Sequence, residues 1–315
     1  SLLSIMGSVT LSIFTIIFSV KFIFGNLGNI FIILVNCMDL INTRKISLAD
    51  HLLTALAISR VGLIWVLFSS WWRDMFFPNF WMNLIMVRTM YIIWIVTCHF
   101  NIWLATCLSI FYCLKVANFS NSIFLYFKWR VKKVISVTLL VSLVVLLLYL
   151  LQSNTHMNVL IDEHKRNISY NSSLQNFPEF SKLVLLSNTM FTFIAFALSL
   201  TTFLLLIFSL WKHLKRMQHS VRGSRDASTT AHINALQAVV AFLLLYTTFF
   251  LSILTELWIT KFPNILYFYF CLAGEIAFPS VHSFVLILVN SKLKQACLPV
   301  LSWLRCGSKD ESPHS

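Results

Sequence analysis

VISVTLLVSLVVLLLYLL, residues 134–151, contains no charged side chain, no glycine and no proline. A helix built from this stretch would present apolar surface all the way round, which water does not tolerate. Spanning the hydrocarbon core of a bilayer takes roughly 20 apolar residues, so the segment reads as a membrane crossing. Six more runs of the same kind flank it, at Leu11–Met38, Leu48–Trp71, Leu84–Cys113, Leu183–Leu210, Ala235–Leu257 and Ile265–Val289. Hydrophobic residues make up 58% of the chain and charged ones 11%, and mean hydropathy is +0.80. A soluble domain of this length has too few charges to cover that much apolar surface. The expected fold is all-α: a seven-transmembrane helix bundle forming one domain over residues 1–315, with 290–315 as a short inner tail. The polar end of that tail, GSKDESPHS, should fray.

The basic residues give the orientation. Alternate inter-span segments collect Arg44 and Lys45, then Lys115, Lys128, Arg130, Lys132 and Lys133, then Lys212, Lys215, Arg216, Arg222 and Arg225, then Lys292, Lys294, Arg305 and Lys309. The opposite side holds only Arg73, Arg88, Lys165, Arg166, Lys182 and Lys261. The positive-inside rule puts the richer set in the cytoplasm, so the N-terminus is expected outside and the C-terminus inside. The first run is too long for a signal-peptide core, and no small-residue cleavage site follows it. It is expected to remain as the first span. A net charge of +13 also fits nucleic-acid binders. Here, however, the cations sit in short loops beside an anionic leaflet, with no aromatic–basic platform. The lipid bilayer is the expected partner, and nucleic acid is not.

The chain has seven cysteines, and none lies in the outer segment Gln152–Ser181. No disulfide ties that segment to the third span, and its order must come from other contacts. Cys306 near the membrane leaves two readings, a palmitoylated anchor and a plain cytosolic thiol. The same outer segment holds two N-x-S sequons, at Asn167 and Asn171. A third, at Asn118, falls on the cytoplasmic side and should stay unmodified.

Ionisable groups within spans are costly and mark cavities or partners. Lys21, Arg60 and Glu275 are the clear cases. The guanidinium of Arg60 and the amide of Asn29 suit a link between the first and second spans, as packing glue or as part of a switch. Lys21 and Glu275 suit an ion pair between the first and seventh spans; alternatively Lys21 snorkels to the interface and Glu275 faces water. The nine histidines show no metal spacing, and H-E-x-x-H, G-x-S-x-G and Walker patterns are missing. Neither an enzyme nor a cofactor is expected. His99 and His282 read as helix-bridging residues. The two halves do not repeat, and acidic rings are lacking, which counts against a channel or transporter.

Trp94 and Cys98 lie four apart on the third span, one turn from each other on one face. Tyr91 extends that face outward, Trp71 ends the second span, and Phe249 adds a ring from the sixth. Leu272 and Glu275 complete the candidate set from the seventh. An outer-half cluster with so few charges suits small, mostly apolar organic ligands.

Long strings through the chain resemble the bitter taste receptors, the type 2 taste receptors. They include GNLGNIFIILVNCMD (Gly25–Asp39), ADHLLTALAISRVGLIW (Ala49–Trp65), HFNIWLATCLSIFYCLKVANFSNSIFLYFKWRV (His99–Val131), LLLIFSLWKHLKRMQ (Leu204–Gln218) and PSVHSFVLILVNSKLKQA (Pro279–Ala296). FYCLK and PSVHS stand where rhodopsin-like receptors carry D-R-Y and N-P-x-x-Y. The resemblance implies a plasma-membrane G-protein-coupled receptor. Its small-molecule bitter agonists would bind in the outer half, and its partner would be a gustducin-type heterotrimeric G protein. It further implies pocket roles for Trp71 and Trp94 and an internal network through Asn29, Arg60 and His282. G-protein coupling would fall to Lys115, Lys212, His213, Lys215, Arg216, Met217 and Gln218, with Lys292 and Lys294 behind them. A pheromone-type vomeronasal receptor is the alternative, but it should lack the LAISR and SLWKH strings. Cys98 replaces a common Asn, Ala195 a common Pro, Asn234 and Gln237 common lysines, and Lys21 a common acid. These departures bear on ligand choice and on switching.

Overall fold

The structure is a computed structural model and describes residues 2–44, 46–76, 84–169, 177–220, 227–258 and 265–307. Among these residues there are helices and no strands. The helices are α1 (Leu2–Thr43), α2 (Leu48–Phe76), α3 (Leu84–Val116), α4 (Ser122–Trp129), α5 (Val131–Ser169), α6 (Phe177–Ser220), α7 (Ala227–Trp258), α8 (Ile265–Val289) and α9 (Ser291–Gly307). Seven of them, all but α4 and α9, are long and apolar enough to cross a membrane. Below, the end of the bundle where α1 begins is called outer, and the end carrying α9 inner.

Most helices outrun the apolar runs that announce them. α5 extends from the apolar stretch through the polar segment Gln152–Ser169. That segment has no glycine or proline to stop a helix, whereas hydropathy reports solvent rather than backbone conformation. The tail after Val289 is helical as far as Gly307, where an unstructured start would have been equally compatible with its composition. Local chemistry sets several starts. Ser47 caps α2: the Asp50 N–H donates to Ser47 Oγ at 3.1 Å, and the Ser47 hydroxyl donates to Asp50 Oδ2 at 2.8 Å. Asn121 caps α4 by accepting from the Ile123 N–H at 2.9 Å, and Asn290 caps α9 by accepting from the Lys292 N–H at 3.1 Å.

α3 is the central helix and packs against α2, α4, α5 and α6. Every residue from 101 to 110 is buried. Its small polar side chains therefore need partners inside the bundle, and α6 supplies them. Ser199 donates to Thr106 Oγ1 at 3.0 Å, Thr106 donates to the Ala195 carbonyl at 3.3 Å, and Ser109 and Thr202 share a bond of 2.8 Å. α5 is the opposite case. Val137, Leu140, Val141, Val144, Leu147, Leu148 and Leu151 are all exposed, a stripe only lipid could cover.

Close approach of α1 to α8 depends on two glycines. A Cβ on Gly25 would collide with Ser280, and one on Gly28 would sit 2.5 Å from Ser283 Oγ. The serine hydroxyls can rotate away, but the serine Cβ atoms would still lie 3.0 and 3.2 Å from the added carbons, so a larger residue must push the helices apart. Gly28→Val is expected to destabilise the fold by about 1–3 kcal/mol, the usual cost of overpacking. A lowered melting temperature of the purified protein in detergent, with reduced surface expression, would show it.

Candidate functional site

The second span carries its arginine into the middle of the bundle. Arg60 is completely buried, and its Nη2 donates to His282 Nδ1 on α8 at 2.5 Å. An arginine always donates, so Nδ1 is the acceptor and the imidazole proton sits on Nε2. Arg60 Nε reaches Asn101 Oδ1 on α3 at 3.4 Å, and the guanidinium carbon lies 4.9 Å over the Phe278 ring. His282 is itself stacked on Phe278, with ring centroids 5.4 Å apart, and edge-on to Phe242 at 4.0 Å. A planar, weakly hydrated cation suits this cage of rings and single acceptors far better than an ammonium would.

Asn29 does not bond to Arg60. Its Nδ2 donates to the Gly25 carbonyl at 2.7 Å and to the Pro279 carbonyl on α8 at 2.9 Å. Both amide protons are thus used, and at this level the Asn29 amide and the Arg60 guanidinium each bond to α8 and not to each other. Proline 279 removes one donor from the α8 ladder, and the Asn29 amide engages the backbone there. Lys21 behaves similarly: its Nζ donates to the Ala273 carbonyl at 3.0 Å, not to Glu275, so the expected ion pair is not formed. A backbone oxygen two residues outward satisfies the ammonium first. Glu275 is buried further along α8.

Above this polar layer is a small cavity of about 30 Å³, lined by Trp94, Ile95, Cys98, His99, Ile102 and Trp103 of α3 together with Tyr149, Phe191, Thr192 and Ile253. Trp94 and Cys98 both face it, and Tyr91 stacks on Trp94 with ring centroids 6.1 Å apart. His99 lines it too, tilted against Trp103 at 5.9 Å. Trp71, Phe249, Leu272 and Glu275 are not in its wall. Trp71 is buried among Phe18, Phe68, Trp72 and Phe76 where α1 meets α2, and Phe249 stacks on Phe278 at 5.2 Å. Position at the end of a span suggested Trp71 for the pocket; the face it occupies directs it elsewhere. In sequence His99 reads as a helix-bridging residue and not as a pocket one, and Tyr149, Phe191 and Thr192 were passed over because nothing in a linear pattern sets them apart from packing residues.

The outer ends of α3 and α5 are joined by one arginine. Arg88 Nη1 donates to Asn158 Oδ1 at 3.3 Å, and its Nη2 donates to Asn154 Oδ1. These two asparagines lie one turn apart on α5 and receive the planar fork side by side. Of the sequons, Asn167 lies in the last turn of α5, and Asn171 falls outside the described residues.

A second cavity, of about 510 Å³, opens at the inner end between α2, α3, α6, α7, α8 and α9. Its mouth carries Asp50, Asn290 and Lys292, its walls Tyr112, Leu210 and Val239, and its roof Phe242 and His282. Lys292 Nζ lies 2.7 Å from Asp39 Oδ2, 3.5 Å from Asp50 Oδ2 and 3.1 Å from Asn36 Oδ1, tying α9 to α1 and α2. Lys115, Lys212, His213 and Lys215 are exposed around the inner end without lining this cavity. The Lys215 ammonium lies 5.6 Å over the Trp211 ring. The side chains of Arg216, Met217 and Gln218, at the end of α6, lie outside the described residues.

Residues 6–305 match the family described as "Taste receptor protein (TAS2R)". This chain belongs to that family. It is 51% identical over 308 residues to taste receptor type 2 member 14 of Homo sapiens, covering 98% of this chain and 97% of the relative. It is 52% identical over 307 residues to the protein of that name in Papio hamadryas, covering 97% and 96%. Against taste receptor type 2 member 116 of Rattus norvegicus it is 49% identical over 307 residues, covering 97% and 94%. The type 2 taste receptor is thus a multi-pass plasma-membrane receptor coupled to G proteins, and not an enzyme. Membership also decides against the vomeronasal alternative.

Arg60→Lys retains the charge but loses the fork and the ring contact. The variant is expected to lose about 2 kcal/mol, the scale of a hydrogen bond to a charged group. Thermal unfolding in detergent would register the loss, and His282→Ala should be additive with it by much less than the sum of the two.

Proposed function

We propose that this receptor binds small, mostly apolar bitter compounds at the cavity walled by Trp94 and Cys98, and passes the signal to a gustducin-type heterotrimeric G protein at the inner cavity. The observation that carries the reading is the double position of His282. It holds the buried Arg60 on one side and roofs the inner cavity on the other. A shift of α8 or α3 at the outer end is therefore felt at the mouth where a G protein docks. An inner opening with apolar walls and cations around its end suits the C-terminal helix of a G-protein α subunit, whose last carbonyls are electronegative.

The outer cavity has the volume of about one water molecule in the liquid. An organic agonist needs more room than this, so its binding goes with a state in which the aromatic walls are parted. Cys98 offers only a weak donor, so contact area with Trp94, Tyr149 and Phe191 supplies most of the affinity. Trp71, packed away from the cavity, contributes through the α1–α2 junction. Coupling rests on the exposed residues Lys115, Lys212, His213 and Lys215, on the neighbouring Arg216, Met217 and Gln218, and on the rim residue Lys292.

Calcium mobilisation in cells carrying a promiscuous G protein, screened with bitter compounds, tests the reading. Truncating a hot-spot aromatic typically costs more than about 2 kcal/mol, so Trp94→Ala should raise the half-maximal agonist concentration by more than tenfold. Cys98→Asn should add responses to agonists with hydrogen-bonding groups. Unchanged dose–response curves in surface-expressed Trp94→Ala would remove the pocket from Trp94.

Orientation has its own test. Glycan is expected on Asn167 or Asn171 and not on Asn118, which sits between α3 and α4 with its N–H on Ser209 Oγ at 3.1 Å. Endoglycosidase mobility shifts of the single Asn→Gln variants read this out, and glycan at Asn118 would invert the topology.

A further inference from the structure

The corner where α4 meets α5 carries a surface that neither cavity uses. α4 has no buried residue. Ile123, Tyr126, Phe127 and Trp129 are all exposed, Trp129 at 87% of its full area. Lys128 turns away from this surface and donates to the Ala117 carbonyl at 2.9 Å, closing the end of α3. Arg130 turns toward it: its guanidinium lies 4.7 Å over the Tyr126 ring, and Nη1 donates to the Tyr126 hydroxyl at 3.0 Å. Lys132 and Lys133, in the first turn of α5, are exposed beside them. The corner thus presents aromatic rings and cations together at one depth.

What covers this surface follows from its continuation. Val137, Leu140, Val141 and Val144 follow Lys133 at helical spacing on one face of α5, and all are exposed. This is the lipid-facing stripe of the helix, and it runs without interruption into the cationic corner. A molecule matching both halves has acyl chains and an acidic headgroup. A protein docking at the inner cavity matches only the corner, and no residue of α4 or α5 lines that cavity.

We propose that the α4–α5 corner is a binding site for an anionic phospholipid of the inner leaflet. Its chains lie along Val137, Leu140, Val141 and Val144, and its phosphate and acidic headgroup lie among Arg130, Lys132 and Lys133. Trp129 and Tyr126 sit at headgroup depth, where amphipathic rings are favoured. A zwitterionic lipid would fill the stripe but leave the cations without a net counter-charge. The site rests on the membrane-spanning fold and not on the agonist or G-protein reading.

Purified receptor in phosphatidylcholine nanodiscs with increasing brominated phosphatidylserine, or brominated phosphatidylcholine, provides the test. The chain has ten tryptophans, so quenching at Trp129 is taken as the difference between the native protein and Trp129→Phe. Brominated phosphatidylserine is expected to reach half-maximal quenching at a lower mole fraction than brominated phosphatidylcholine. Each cation near an anionic leaflet strengthens attraction roughly fivefold, so Arg130→Gln, Lys132→Gln and Lys133→Gln together should raise the phosphatidylserine half-point to that of phosphatidylcholine. A charge-matched control, Lys212→Gln, Lys215→Gln and Lys294→Gln, should leave it unchanged. Equal half-points for the two lipids overturn the proposal, as does an equal shift in the control. So does a Trp129 that lipid leaves unquenched but that added G protein shields. Because the readout needs no agonist and no signalling, its failure leaves the receptor function standing. Melting curves for both triple variants confirm that folded protein is being compared.

Discussion

A fully buried guanidinium is the constraint around which this bundle is organised. Burying a charge in a membrane protein is costly, and partners on several helices offset part of that cost here, although Arg60 Nη1 has no hydrogen-bond partner among the described residues. Arg60 takes a neutral imidazole from α8, an amide oxygen from α3 and a ring face from Phe278. These partners fix the relative rotation of α2, α3 and α8. α1 then joins the same assembly through the Asn29 amide on the backbone at Pro279, with Gly25 and Gly28 permitting the approach. Removing the arginine's partners singly leaves an uncompensated charge, so the layer moves as a unit or not at all.

Consequently the two cavities are not independent compartments. The outer one shares α3 with Asn101, two helical turns inward of Trp94, and the inner one has His282 in its roof. The hydroxyl ladder between α3 and α6 lies about one to two turns further inward along α3 and is made of short side chains with several interchangeable partners. Serine and threonine hydroxyls rotate to suit a new neighbour. One seam of the central helix is therefore adaptable, while the seam toward α2 and α8 is committed to a single arrangement.

How far this was readable from the chain varied with the kind of physics involved. The bilayer imposes its own length on a crossing, so VISVTLLVSLVVLLLYLL and its six counterparts located the spans directly. Hydropathy is silent on polar helix, which is why the outer extension of α5 and most of α9 were not visible, and α4, though apolar, has only eight residues and is too short to register as a crossing. Arg60, Asn29 and His282 stood out because polar groups inside a span must have partners, but which partner each takes depends on rotation about helix axes. Hence Asn29 bonds α8 backbone instead of Arg60, and Lys21 bonds the Ala273 carbonyl instead of Glu275. Trp94 and Cys98 were paired on one face by their spacing, and both line the outer cavity, whereas Trp71 was named from its depth and from the family resemblance, neither of which says which way a ring points.

The outer ends of α3 and α5 are held by the Arg88 fork on Asn154 and Asn158, and no disulfide is present among the described residues. Hydrogen bonds of this kind form as soon as the helices meet and need no oxidant, isomerase or particular redox compartment. Assembly of this receptor's outer end is accordingly a packing event alone, reversible under reducing conditions. Synthesis into lipid in the presence of thiol reductant should yield the same outer architecture as synthesis through the secretory pathway.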